Sequence, residues 1–224
     1  MRYIPENNLL FLHIPKTGGV AIEKAVNNNW KKRGAVRKIR HRWNGIPGRH
    51  VRRNDLECFP WEKDAWAFCF VRHPLDWYMS CWRHLHAMQK RRIRRGSDLA
   101  DMFHWYHWHP QKWLASILSP DFDKWIERII TQDPGHLSKL YEEYIGLDRD
   151  VPHVQYVGRQ ETLTQDVCQL LKVSEVSKVN ITHGLVPSAS KQSIEGIMNT
   201  EEQILQRYYG SETVGFRRIE DWSK

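Results

Sequence analysis

No apolar run in this chain approaches the roughly 20 residues needed to cross a bilayer, and the opening MRYIPENNLLFLHIPKTGG offers only a short one before the chain turns at Gly18 and Gly19. Neither a membrane span nor a signal peptide is expected, and a soluble, cytoplasmic protein is. Cysteine is scarce: Cys58, Cys69, Cys81 and Cys168 form no CxxC pair and lack the close spacing of a disulfide scaffold, which points to a reducing compartment. Internal repeats and low-complexity tracts are absent. So is the Walker A pattern GxxxxGK[ST], because Lys16 precedes the glycines and no glycine opens the loop, which disfavours a nucleoside triphosphate hydrolase.

What is present is basic and aromatic. The 224 residues suit one domain spanning 1–224, and 34 Lys+Arg against 26 Asp+Glu leave a formal net charge of +8. Such a surface attracts anions over a Debye length of roughly 8 Å. Nucleotides, acidic polysaccharides, nucleic acid and acidic membranes are the partners that this charge admits. Most of the eleven Trp are expected in packing, with the remainder suited to interfaces or sugar rings.

Leu9 to Ile14 is a short apolar run ending in Pro15 and Gly18-Gly19, followed by the helical spacing Val20, Ile22, Ala25, Val26. Ala65 to Val71 repeats the theme: a buried run broken by Arg72-His73-Pro74, then a helix from about Leu75 to Arg95. Val154 to Gly158 is a third strand, followed by an amphipathic helix from Glu161 to Leu171. The region from Lys31 to Arg53 reads as loop with a short strand at most. Ser119-Pro120 predicts the start of a helix carrying Phe122, Trp125, Ile126, Ile129 and Ile130 at helical spacing. Ser174 to Ser193 reads as irregular, and Thr200 to Tyr209 as the last helix. Alternating strands and helices predict an α/β fold with a central parallel sheet covered on both faces.

In such a sheet, ligands sit at the carboxyl ends of strands, where the next helix points its free N–H groups at an anion. Pro15-Lys16-Thr17-Gly18-Gly19 occupies that place, with two glycines for close backbone approach, a mobile cation and a hydroxyl. Arg72 at the end of the second strand and Ser80 two turns into its helix repeat the arrangement with a guanidinium fork and a second hydroxyl. His104, His107 and His109, three ligands of one kind with Trp between them, make a weak metal site, and no metal is expected. Lys90 to Arg95 reads first as a solvated basic helix end.

These segments resemble the sulfotransferases that use 3′-phosphoadenylyl sulfate (PAPS), and among them the carbohydrate branch. FLHIPKTGGVAIEKAV is similar to that family's 5′-phosphosulfate loop. FCFVRHPLDWYMSCW is similar to its 3′-phosphate motif, and VQYVGRQETLTQDV to its later strand and helix. The resemblance covers about residues 9–171. It implies a P-loop-like nucleotide site with Lys16, Thr17, Gly18, Gly19 and Val20 around the 5′-phosphosulfate and Arg72 and Ser80 on the 3′-phosphate. Lys191 is placed as a loop lysine closing over the nucleotide. His50 is placed as the general base, with His41, Asp55 and Glu57 as alternatives. The implied reaction is in-line transfer of a sulfuryl group from PAPS to a hydroxyl of a carbohydrate or other small acceptor, with 3′-phosphoadenosine 5′-phosphate as product and no nucleic-acid partner. A P-loop nucleotide kinase and a non-enzymatic polyanion- or nucleic-acid-binding protein are the competing readings, the latter drawn from charge and aromatic content.

Overall fold

The structure, a computed structural model, describes residues 2–4, 7–30, 37–38, 65–94, 112–145, 154–172 and 189–210. Its sheet contains β1 (Arg2–Ile4), β2 (Leu9–Phe11), β3 (Arg37–Lys38), β4 (Trp66–Val71) and β5 (Tyr156–Arg159). They are ordered β3-β1-β2-β4-β5. β2, β4 and β5 are parallel, in a register that sets Phe11 beside Phe68 and Val71 beside Arg159. This is the parallel sheet that the sequence predicts. The addition is at one side, where β1 and β3 pair antiparallel to their neighbours.

Residues alternate across the sheet. Phe11, Phe68 and Phe70 face α1 (Gly19–Trp30) and α6 (Leu163–Leu171), meeting Ile22, Val26 and Val167. Leu10, Ala67 and Cys69 face the opposite layer. That layer is built by α2 (Pro74–Arg94), α3 (Lys112–Ser116), α4 (Phe122–Gln132), α5 (His136–Ile145) and α7 (Lys191–Thr200). A short helix α8 (Glu202–Ile204) then runs into a π turn, Leu205–Tyr209. No helix among the described residues is long and apolar enough to cross a membrane. Cys69, Cys81 and Cys168 are free thiols.

Two boundaries differ from the sequence expectation. α4 starts two residues late because Asp121, not Ser119, is its cap: the Asp121 carboxylate accepts the N–H groups of Asp123 (2.9 Å) and Lys124 (3.3 Å). The Ser119 hydroxyl is used one step earlier, accepting the Asp121 N–H at 3.3 Å. α7 begins at Lys191, inside the stretch read as irregular, because Ser190 caps it by accepting the Ser193 N–H at 3.2 Å.

A buried carboxylate joins the C-terminal helices to the rest. Glu201 is fully buried, and its Oε1 accepts from Tyr78 Oη at 2.5 Å and the Leu137 N–H at 3.0 Å. Its Oε2 accepts the Ser138 N–H at 2.9 Å and Ser138 Oγ at 2.7 Å. A negative charge here satisfies the first amides of α5 and complements that helix's dipole. Burial and the Glu201 carboxylate together hold the Tyr78 hydroxyl well above its usual pKa, so it remains a donor. Glu201→Ala would leave several buried donors unpaired at about 1 to 3 kcal/mol each. The expected loss is about 3 to 5 kcal/mol in denaturant unfolding, and a loss under about 1 kcal/mol would show that the contact is dispensable.

Candidate functional site

The site is assembled where the three parallel strands end. After β2 the chain stays beside β4 for one more hydrogen bond, from the Leu12 N–H to the Phe68 carbonyl at 2.9 Å, and then turns through residues 15–18 into α1. Lys16 (φ 67°) and Gly18 (φ 90°) both take positive φ. That is ordinary for glycine and unfavourable for lysine, so Lys16 is held in this conformation by its surroundings. The Thr17 hydroxyl donates to the Ile14 carbonyl at 3.0 Å, so its proton closes the turn.

Gly18 and Gly19 are required by close approach. A Cβ on Gly18 would lie 2.4 Å from Leu163 Cδ1, and one on Gly19 would lie 2.2 Å from His13 Cδ2. The first contact fixes the turn against the segment after β5. The second fixes it against His13, whose Nδ1 is 3.2 Å from Glu23 Oε1, while Arg2 Nη2 pairs with Glu23 Oε2 at 3.1 Å. This buried Arg2–Glu23–His13 chain ties β1 to α1 directly behind the loop. The first turn of α1 carries no acidic residue, and Val20 is 54% exposed.

The second turn, after β4, locks onto the first. The Trp77 indole N–H donates to the Pro15 carbonyl at 2.9 Å, and Arg72 Nη1 donates to the Lys16 carbonyl at 3.4 Å. The Arg72 backbone is held from the other side by Tyr141, whose hydroxyl accepts the Arg72 N–H at 2.9 Å and donates to the Arg72 carbonyl at 3.2 Å. Arg72 is only 7% exposed, and its buried Nε has no hydrogen-bond partner among the described residues. A buried guanidinium donor left over in this way is available to an anion.

The third turn, after β5, brings Glu161 up to the second. Glu161 Oε1 accepts the His73 N–H at 3.3 Å, and its carboxylate also accepts the Tyr209 hydroxyl, at 3.1 Å from Oε2.

Electrostatics agree with the geometry. Burial lowers the pKa of Lys16; Cys81 opposes this and the Arg72 guanidinium adds to it. Burial likewise lowers that of Arg72, against the neighbouring Asp76, Tyr141, Glu161 and Tyr209. Burial pushes the Cys81 thiol up to about 12, so it stays protonated despite Lys16. Burial is the leading cause for both cations, and Arg72 adds to the penalty on Lys16.

Of the residues singled out in the sequence, Lys16, Thr17, Gly18, Gly19, Val20 and Arg72 fall together here. Ser80 lies half-buried on α2, three residues after Trp77 and therefore on the helix side that meets the loop. Lys191 opens α7 with an exposed side chain, 3.6 Å from Glu195 on the same helix, and makes no hydrogen bond to Lys16 or Arg72. His50, His41, Asp55, Glu57 and His104 to His109 lie outside the described residues. Among the described residues no cluster of three His, Cys, Asp or Glu is placed to hold a metal ion. Trp77, Tyr141 and Tyr209 were not singled out, because an indole or phenol that reaches a distant carbonyl or carboxylate leaves no local pattern. Glu161 carried a signal in its Gly-Arg-x-Glu turn.

Two expectations follow. Because burial depresses the Lys16 pKa, its charge is lost at lower pH than that of an exposed lysine, so affinity for inorganic sulfate should fall as pH rises through that lowered value. Lys16→Arg should keep its affinity to higher pH, since a guanidinium does not deprotonate in this range; a wild-type affinity constant up to about pH 10, the ordinary lysine value, would contradict it. Trp77→Phe removes the donor to the Pro15 carbonyl and should weaken sulfate binding by about 1 to 2 kcal/mol, read by calorimetry.

Residues 1–212 match the family described as the sulfotransferase family. No curated protein and no solved structure gives a significant match. A match over nearly the whole chain, on a fold whose strand ends gather two cationic turns, settles the assignment: the chain belongs to the sulfotransferase family and its chemistry is sulfuryl transfer.

Proposed function

We propose that this chain transfers a sulfuryl group from PAPS to a hydroxyl of a carbohydrate or other small acceptor, as one catalytic domain. The observation that carries the reading is the pair of turns locked together by Trp77 and Arg72, one led by Lys16 and a helix N-terminus, the other by a buried guanidinium whose Nε has no partner among the described residues. PAPS carries two separate anionic groups, a 5′-phosphosulfate and a 3′-phosphate. Two anion sites on adjacent strand ends suit that ligand, whereas a nucleoside triphosphate offers its charge in one run.

In this assignment the amides of Gly18, Gly19 and Val20 and the Lys16 ammonium receive the 5′-phosphosulfate, while Thr17 keeps the turn closed through Ile14. Arg72, with Ser80 further along α2, receives the 3′-phosphate. PAPS supplies the activated sulfuryl group and a phosphate leaving group. The protein's task is to hold the donor in line with the acceptor and to stabilise negative charge growing on the leaving oxygen. Lys16 suits that task because its charge sits on a mobile stem in a partly desolvated place. His50 is assigned the removal of the acceptor proton, which an imidazole near its ordinary pKa of about 6.5 performs at neutral pH. Lys191 is assigned to closure over the bound nucleotide, a role for which its exposed side chain would have to leave Glu195.

The test is transfer of label from PAPS to a panel of acceptors, followed through three variants. Lys16→Ala should lower turnover at least about a hundredfold while affecting product affinity much less, the pattern of a group acting mainly in the transition state. Turnover within a few fold of wild type would remove Lys16 from catalysis. Arg72→Ala should weaken binding of 3′-phosphoadenosine 5′-phosphate by about 1.5 to 3 kcal/mol. Its preference for that ligand over adenosine 5′-phosphate should shrink accordingly, and an unchanged preference would assign the 3′-phosphate elsewhere. His50→Ala should abolish turnover with nucleotide affinity intact; near-normal turnover would transfer the role to His41, Asp55 or Glu57.

A further inference from the structure

The C-terminal π turn ends beside the candidate nucleotide site, and the assignment of Arg72 does not account for it. Leu205–Tyr209 is anchored from below, with Ile204 fully buried and Tyr208 4% exposed. Tyr209 instead meets the strand-end turns. Its hydroxyl donates to Glu161, at 3.1 Å from Oε2 and 3.3 Å from Oε1. Its ring meets the His73 imidazole edge-on, with centroids 5.3 Å apart, and Arg159 Cζ lies 5.9 Å from its centroid. Glu161 closes the circuit by accepting the His73 N–H.

The consequence for Arg72 is mechanical. The Arg72–His73 turn has Tyr141 on the Arg72 backbone and Glu161 on the next amide, and among the described residues no other side chain accepts that amide's proton. Glu161 is solvent-facing, and an unrestrained surface carboxylate does not hold one position. Tyr209 supplies the restraint. A π turn is rare, and this one sits where a long side chain has to be aimed from a buried anchor to a strand end.

We propose that Tyr209 and Glu161 are positioning residues for the Arg72 turn, which set the orientation of the guanidinium and hence the preference for a nucleotide bearing a second phosphate. The readout by nucleotide rests on the PAPS reading above, whereas the mechanical coupling of Tyr209 to His73 does not. Neither residue touches the transferred group, so the effect belongs in ligand discrimination and KM more than in kcat.

The experiment compares wild type with Tyr209→Phe, Tyr209→Ala and Glu161→Gln. Two quantities are measured: the affinity ratio of 3′-phosphoadenosine 5′-phosphate to adenosine 5′-phosphate, and amide hydrogen exchange at His73 without ligand. Tyr209→Phe keeps the ring on His73 and Arg159, so thermal unfolding should be nearly unchanged. The affinity ratio should fall about threefold to tenfold, the worth of one hydrogen bond, and His73 exchange should quicken. Tyr209→Ala should fall further on both, and Glu161→Gln, which keeps one acceptor, should fall between. Unchanged exchange at His73 in Tyr209→Phe overturns the proposal, as does a retained affinity ratio in a wild type that prefers the bisphosphate. A wild type with no such preference, but with His73 exchange that responds to Tyr209→Phe, overturns the nucleotide reading and leaves the coupling standing.

Discussion

Two hydrogen bonds, from Trp77 to the Pro15 carbonyl and from Arg72 to the Lys16 carbonyl, make one site out of two turns that lie far apart in sequence. The first turn is bent by the positive φ at Lys16 and Gly18, and its Pro15 and Lys16 carbonyls are the ones that these bonds satisfy. Buried carbonyls need donors, and both come from the second turn. The loop therefore depends on α2 for its shape, and α2 on its own supports. Tyr141 grips the Arg72 backbone, and Glu201 ties Tyr78 of α2 to the first amides of α5.

The same arrangement concentrates unfavourable terms at one point. Lys16 sits in a backbone conformation unusual for its type, and both it and Arg72 are partly stripped of water. Packing elsewhere offsets this, with aromatic rings against both helix layers and the buried Arg2–Glu23–His13 chain behind α1. A bound anion would offset the desolvation of both cations.

The parts of this design that were legible in the sequence are those encoded locally. Pro15 to Gly19 between a strand and a helix, Arg72 to Pro74 between the next pair, and the Gly-Arg-x-Glu turn of the third all carry residues whose backbone or charge limits their use. The alternating buried runs likewise announced a sheet covered on both faces. What was not legible depends on distant partners. A three-residue strand such as Arg2–Ile4 has no pattern of its own and exists because β2 and β3 flank it. Ser119 looks like a cap, but its hydroxyl accepts the Asp121 N–H and Asp121 caps the helix instead. Trp77, Tyr141 and Tyr209 read as packing aromatics, and only the fold reveals which polar atom each one reaches. His50 and Lys191 rest on resemblance, the first outside the described residues and the second with its side chain on Glu195.

The central claim is that two linked anion sites select a nucleotide carrying phosphate at both the 5′ and 3′ positions. Parallel calorimetric titration of the wild-type chain with 3′-phosphoadenosine 5′-phosphate, ATP and a short oligonucleotide tests it most directly. The bisphosphate should bind tightest, at one site per chain and at least about tenfold better than ATP, a margin of about 1.4 kcal/mol. Equal or tighter binding of ATP or of the oligonucleotide would contradict the claim.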